Sequence, residues 1–213
     1  MENNRRLPNN DFRQTLPGGD TSERALMEAL QIVKPDYRPL PGIDPNKDDL
    51  QYYRFQMGLD CDEVYPGIFI GDATTAKNKE YLKVIGVTHL LNTAEGTRFG
   101  FVNTNKEYYN DTTIKYLGLP LADLPSVDIS KYFYTAAEFI EDALSSGGKV
   151  FVHCMMGISR SATCVLAYLM IKKGMPAVQA IQRVRQSRDI HPNIGFLRQL
   201  AQLDNQLRRQ RVL

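Results

Sequence analysis

The stretch Lys149-Val150-Phe151-Val152-His153-Cys154-Met155-Met156-Gly157-Ile158-Ser159-Arg160-Ser161 holds the densest chemistry of this chain. An apolar run ends on His153, Cys154 opens a turn, and Arg160 closes it with five residues between. The pattern predicts a buried strand, a tight loop and the start of a helix. Where a strand feeds a helix through such a loop, several backbone N–H groups and the helix dipole converge on one spot. Such a spot binds anions. The same donors, with the Arg160 guanidinium, favour a thiolate, so Cys154 is expected to titrate low. They also suit phosphate oxygens, to which Arg160 offers a bidentate fork. A thiolate on the floor of that cradle stands in line for attack on phosphorus. Gly157 lets the backbone turn tightly around the anion. Ser161 is placed to hydrogen-bond the sulfur and help it leave. The bland alternative is a structural cysteine on a βα turn. His153, Gly157, Ser159 and Ser161, together on one strand–loop–helix background, argue against that coincidence.

A leaving oxygen needs a proton, and a carboxyl group both gives one and later accepts one from water. Asp123 is the candidate, in Leu121-Ala122-Asp123-Leu124-Pro125, 31 residues before Cys154. Asp128 competes with it, and Asp128 could as easily cap the helix that follows. Either could be a solvated loop carboxylate.

These residues need elements that position them. β-rich apolar runs at 68–70, 87–91, 114–119 and 150–152 predict strands. Helical patterns lie near 74–84 and 130–145, and three more follow at 160–173, 177–186 and 195–208. The last spaces Phe196, Leu200, Leu203 and Leu207 on one amphipathic face. Alternating β and α elements predict an α/β fold, a central mostly parallel sheet flanked by helices. Upstream, residues 1–20 read as disordered. A short helix is expected over 21–33, capped by Asp20 or Thr21, with Ala25, Leu26, Ala29, Leu30 and Val33 as its apolar stripe. The prolines at 35, 39, 41 and 45 make 34–47 a linker or a loop draped over the domain.

Bulk properties narrow the setting. Basic residues number 26 and acidic residues 24, for a net charge of +2, so nothing calls for a nucleic-acid partner. The cysteines, at 61, 154 and 164, are too few and unpaired for a disulfide framework. Cys164, on a helix apolar nearly all round, reads as core. His89 and His191 read as structural, and three histidines without ligand spacing give no metal site. No nucleotide loop appears, and no cofactor is expected. No signal peptide, myristoylation motif or membrane-length apolar run is present, so cytoplasm, nucleus or both are expected. The basic run Arg208-Arg209-Gln210-Arg211 is too weak for a localisation signal.

The loop matches the H-C-x5-R-[ST] signature of the protein tyrosine phosphatase superfamily. With Ala167-Tyr168-Leu169-Met170 after it, the stretch resembles the dual-specificity phosphatases. Asn92-Thr93-Ala94-Glu95-Gly96, Val102-Asn103-Thr104-Asn105, Tyr116-Leu117-Gly118 and Gly195-Phe196-Leu197 look like the small atypical enzymes of the VHR type. The likeness covers roughly 59–207. It implies a catalytic domain over 59–208, an N-terminal extension over 1–58 and a tail over 209–213.

The resemblance also implies roles. Cys154 is the nucleophile and Arg160 the phosphate clamp. Met155, Met156, Gly157, Ile158 and Ser159 supply backbone N–H groups. His153 orients the loop, Ser161 assists breakdown of a phosphocysteine, and Asp123 occupies the general-acid loop. Arg188 matches a basic residue near the pocket mouth that binds a second substrate phosphate, or is a solvated helix-end arginine. Asn193 supports the acid loop, or is a turn residue. The implied reaction is metal-free, two-step hydrolysis of phosphotyrosine and phosphoserine/phosphothreonine in proteins, with mitogen-activated kinases a common target class. The apolar Met155, Met156 and Ile158 favour a phosphoprotein over an inositol lipid. Two other readings compete: a non-catalytic phosphopeptide-binding scaffold, and a phosphatase for RNA 5′ ends, lipids or sugars. Oligomeric state stays open.

Overall fold

In the computed structural model, residues 16, 18–36, 38–44 and 58–212 are described. The expected disorder over 1–20 lies mostly outside them, as does the end of the 34–47 segment. The sheet has five strands: β1 (Cys61–Tyr65), β2 (Ile68–Gly71), β3 (His89–Asn92), β4 (Lys115–Gly118) and β5 (Val150–His153). Their order is β1-β2-β5-β3-β4, with β1 antiparallel to β2 and every other pair parallel. Strands β2, β3 and β5 are buried at every position, as expected where helices cover both faces.

Alternation along the strands divides the core. Ile68, Ile70, Leu91, Val150 and Val152 face the larger layer, formed by α4 (Phe133–Ser145), α5 (Arg160–Ile171), α6 (Ala177–Arg185) and α7 (Ile194–Val212). Phe69, Leu90 and Phe151 face α2 (Ala73–Lys77) and α3 (Lys79–Val84), against Tyr81, Leu82 and Tyr109. The mostly parallel α/β sheet expected from the sequence is the observed fold.

Some boundaries differ for local reasons. The helical pattern at 74–84 is two helices, because Asn78 ends one and its side chain caps Tyr81 N of the next. Strand β1, not expected, is an edge strand turned onto β2 at Pro66-Gly67, with Gly67 at φ 77°. Helix α7 continues through the expected tail to Val212, and Arg211 donates to the carbonyls of Met170 and Gly174.

The N-terminal helix α1 (Glu23–Ile32) buries Leu26, Ala29 and Leu30 in the larger core layer. Its cap is Ser22, whose hydroxyl accepts from Ala25 N, rather than Asp20 or Thr21. Those two are engaged elsewhere. Thr21 donates through its hydroxyl to Asp204 at 2.6 Å, and Asp20 pairs with Arg209. The described part of the 34–47 segment drapes over the domain, with Asp36 N donating to Gln186 O and Tyr81 Oη donating to Pro41 O.

Candidate active site

The parallel register sets the site. Gly71, His153 and Asn92 stand side by side at the carboxyl ends of β2, β5 and β3. Cys154 follows directly, at the edge where open α/β sheets bind ligands. Its loop runs to Arg160, the first residue of α5. Gly157 N donates to Cys154 Sγ at 3.2 Å, and Ser161 Oγ lies 3.4 Å from the same sulfur. Burial alone would push this thiol up. Hydrogen bonds from the Ser161 side chain and backbone, the Arg160 charge and the Ile158 N–H outweigh burial, and the net direction is down. Cys164, buried in α5 without such donors, is pushed up to about 12. Of the two, only Cys154 has the surroundings of a thiolate.

Arg160 is only 4% exposed, yet it is oriented. Its Nη1 donates to the carbonyls of Gly100 and Leu121, and its Nε lies 3.8 Å from Asp123 Oδ2. That Nε has no hydrogen-bond partner among the described residues, which leaves a buried cationic donor beside the thiol. Asp123 Oδ1 accepts from Ser159 Oγ at 2.8 Å and from Asn193 Nδ2 at 2.7 Å. A cavity of about 640 Å³ brings Cys154, Arg160 and Asp123 onto one wall system, with Met155, Met156, Ile158, Ser159 and Asn193 also lining it. Asp128 does not line it. Its carboxylate accepts from Ser130 N and Oγ, in the turn that enters α4, and this bonding holds it below the usual carboxylate range. It is a turn carboxylate bonded to Ser130, not the carboxyl of this cavity, and the helix that follows carries no side-chain cap.

Residues 68–206 match the family profile described as dual specificity phosphatase, catalytic domain. This chain belongs to the dual-specificity phosphatase family. Among solved structures it is similar to the human tyrosine phosphatase-like serine/threonine/tyrosine-interacting protein: 35% identity, 67% of this chain, 94% of that chain, TM-score 0.60. It is similar to a mouse putative dual specificity phosphatase complexed with zinc tungstate: 30% identity, 72% of this chain, 91% of that chain, TM-score 0.62. Human DUSP28 matches at 29% identity over 69% of this chain and 94% of its own, with a TM-score of 0.61.

Within this dual-specificity phosphatase domain, His153 and Asn193 each contact a residue of the site. His153 is fully buried, with Nδ1 3.1 Å from the Cys154 carbonyl oxygen. Asn193 holds Asp123, as above, and its Oδ1 also accepts from Phe196 N in the first turn of α7.

Arg188 departs from both readings of the sequence. It is neither solvated nor free to take a second phosphate. All five of its N–H donors are used. Nε donates to Gly157 O, Nη1 to Asp60 and Asp62, and Nη2 to Asp60 and Met156 O. An arginine has no sixth donor. At 5% exposure it is part of the floor beneath the loop.

Sequence reasoning missed the far wall, residues 97–101. The segment acts through Gly100 O, a backbone atom that no residue type advertises. Asn92 supports the chain beyond it by donating to Val102 O, and Tyr116 Oη lies within hydrogen-bond reach of both Glu95 Oε2 and Thr104 O. Thr93 Oγ1 donates to His153 O, tying β3 to the end of β5. Among the described residues no group of three His, Cys, Asp or Glu side chains is placed to hold a metal ion. No helix among them is long and apolar enough to cross a membrane.

Proposed function

We propose that this chain is an active protein phosphatase that hydrolyses phosphotyrosine and phosphoserine/phosphothreonine through a phosphocysteine. The observation that carries this reading is the Cys154 sulfur itself, hydrogen-bonded by Gly157 N and Ser161 at the base of a cavity that Arg160 and Asp123 also line. In the first step the thiolate attacks phosphorus. The S–P bond forms, the ester P–O bond breaks, and Asp123 delivers its proton to the leaving oxygen. Arg160 Nε and the loop N–H groups take the equatorial oxygens, where charge resides throughout. In the second step Asp123, now a carboxylate, removes a proton from water. The water oxygen bonds phosphorus, the S–P bond breaks, and the Ser161 hydroxyl steadies the departing thiolate. Both hydrogen bonds to the carboxylate, from Ser159 and Asn193, fall on Oδ1, which leaves Oδ2, 3.8 Å from Arg160 Nε, as the oxygen to handle the proton.

The rim supports a protein substrate. Phe99 and Met156 are exposed at the cavity mouth, and the loop side chains carry no added cation that a polyanionic lipid or sugar would require. The test is hydrolysis of p-nitrophenyl phosphate and of phosphopeptides without added metal. Cys154→Ser is expected to abolish turnover. Asp123→Asn is expected to slow an alkyl phosphate by about 10²–10⁴-fold and an aryl phosphate less, because the better leaving group needs less proton. Turnover by Cys154→Ser at the wild-type rate would remove Cys154 as nucleophile. Phosphopeptide binding by the wild type with no turnover would establish the scaffold reading instead.

A further inference from the structure

Gly157 has φ 67°, and a Cβ there would lie 2.4 Å from Gly71 O and 2.7 Å from Arg188 Nη2. The loop is thus pressed against β2 and against Arg188. A peptide unit is planar and trans, so its C=O and N–H point in opposite directions. Two consecutive peptide units of the loop have their carbonyls fixed by the same guanidinium. Met156 O accepts from Arg188 Nη2 at 3.1 Å, and Gly157 O accepts from Arg188 Nε at 2.7 Å. The N–H groups of those two units belong to Gly157 and Ile158. Gly157 N is the donor seen on Cys154 Sγ, and the Ile158 N–H also favours the Cys154 thiolate.

We propose that Arg188 is a positioning residue for the phosphate loop, holding two carbonyls back so that the Gly157 and Ile158 N–H groups face the Cys154 sulfur. The inference rests on the phosphatase reading of the site and deepens it. Asp60 and Asp62 are part of the device. They lie 128 and 126 residues from Arg188 in sequence and accept its remaining donors at 2.6–2.8 Å, which fixes the guanidinium plane and balances its buried charge. Arg188 therefore serves the first phosphate through the loop and has nothing left for a second.

The sulfur is surrounded by several other charged or titratable groups. Arg160 and Ser161 come from the start of α5, Cys164 from farther along it, and His153 from β5. Asp123, Arg98 and His191 line the cavity above. Substituting Arg188 removes none of these groups, so a movement of the Cys154 titration reports on the loop and what the loop carries.

The experiment is the rate of Cys154 alkylation by iodoacetamide across a pH series, read by mass spectrometry on the full chain, beside the acid limb of kcat/KM for p-nitrophenyl phosphate. Arg188→Lys keeps the charge and loses the fork. Its alkylation midpoint and its acid limb are expected to rise together by about one pH unit, a roughly tenfold loss of thiolate on the acid side, the worth of one hydrogen bond to a charged group. The double variant Asp60→Asn/Asp62→Asn keeps Arg188 but loosens it, and a smaller rise in the same direction is expected. It decides the matter if Arg188→Lys does not fold. Asp204→Asn is the control. It removes a buried carboxylate that holds Thr21 and Ala177 N, and it is expected to lower the melting temperature with no change in the midpoint. A folded Arg188→Lys, or a folded double variant, with the wild-type midpoint would overturn the proposal, as would an equal rise in the control. If the wild type hydrolyses no phosphate monoester, the phosphatase reading fails while the alkylation midpoints still score Arg188.

Discussion

Acid should destabilise this protein through one buried side chain. His153 is fully buried at the end of the central strand. Burial pushes its imidazole down from the ordinary 6.5 to about 4, opposed by the hydrogen bond to the Cys154 carbonyl and reinforced by the charges of Arg160 and Lys77. The unfolded chain therefore takes up a proton on this residue near pH 6.5, and the folded chain does not until about pH 4. Between those values the unfolded state holds one more proton, so stability falls as pH falls, by about 1.4 kcal/mol per pH unit. Over the whole interval the loss is about 3 kcal/mol, a large fraction of the 5–15 kcal/mol typical of a domain. Above the ordinary histidine value the contribution is flat. The assay is urea unfolding at pH steps from neutral down to about 4.5, on the wild type and on His153→Gln, which cannot titrate. The variant will differ in absolute stability, and only the slopes are compared. Carboxylates held low by hydrogen bonds or ion pairs, such as Asp128 and Asp142, are common to both proteins and cancel. The wild type is expected to lose about 2.5 kcal/mol more than the variant between the two ends, because the assay stops short of the folded-state value. Parallel profiles would refute the reasoning.

Two further outcomes follow from packing. Gly157→Ala places a Cβ 2.4 Å from Gly71 O at a positive φ. It is expected to cost about 1–3 kcal/mol in denaturant unfolding and to abolish vanadate binding; wild-type affinity by calorimetry would contradict this. Leu26→Ala, at a fully buried position of α1, is expected to cost about 2–5 kcal/mol with unchanged turnover per folded molecule, and a loss below about 1 kcal/mol would mean that α1 is not docked in solution.

What the sequence made legible was local. The strand–loop–helix around Cys154 could be read because its apolar run, its cysteine, glycine and arginine, and its helix start are contiguous. Local pattern could not separate Asp123 from Asp128, since both sit in the same loop region; the family resemblance favoured Asp123, and the structure adds what each one touches. Arg188 was misread because its partners Asp60 and Asp62 lie more than a hundred residues upstream, and no local pattern ties an arginine at a helix end to them. Strand β1 escaped because Cys61-Asp62-Glu63-Val64-Tyr65 carries two acids in five residues, tolerable only at a sheet edge. The wall at 97–101 escaped because its contribution is a carbonyl. Side-chain chemistry is written in residue types, whereas backbone geometry and distant pairing are not.

The strand order has a consequence for how the molecule comes together. Strands β2 and β3 share no hydrogen bonds, because β5 lies between them and pairs with both. Without β5, the ribbons β1–β2 and β3–β4 share no backbone ladder and meet only through side chains such as Phe69 and Leu90 against Tyr81 and Leu82. The last strand in sequence closes the sheet, and it carries His153 and then Cys154 at its end. Joining the halves and building the anion cradle are thus a single event, in which a long-range closure brings contacts from the N-terminal third together with the last third. In a partly assembled molecule Cys154 lacks the Gly157 N–H that its sulfur accepts from in the finished fold.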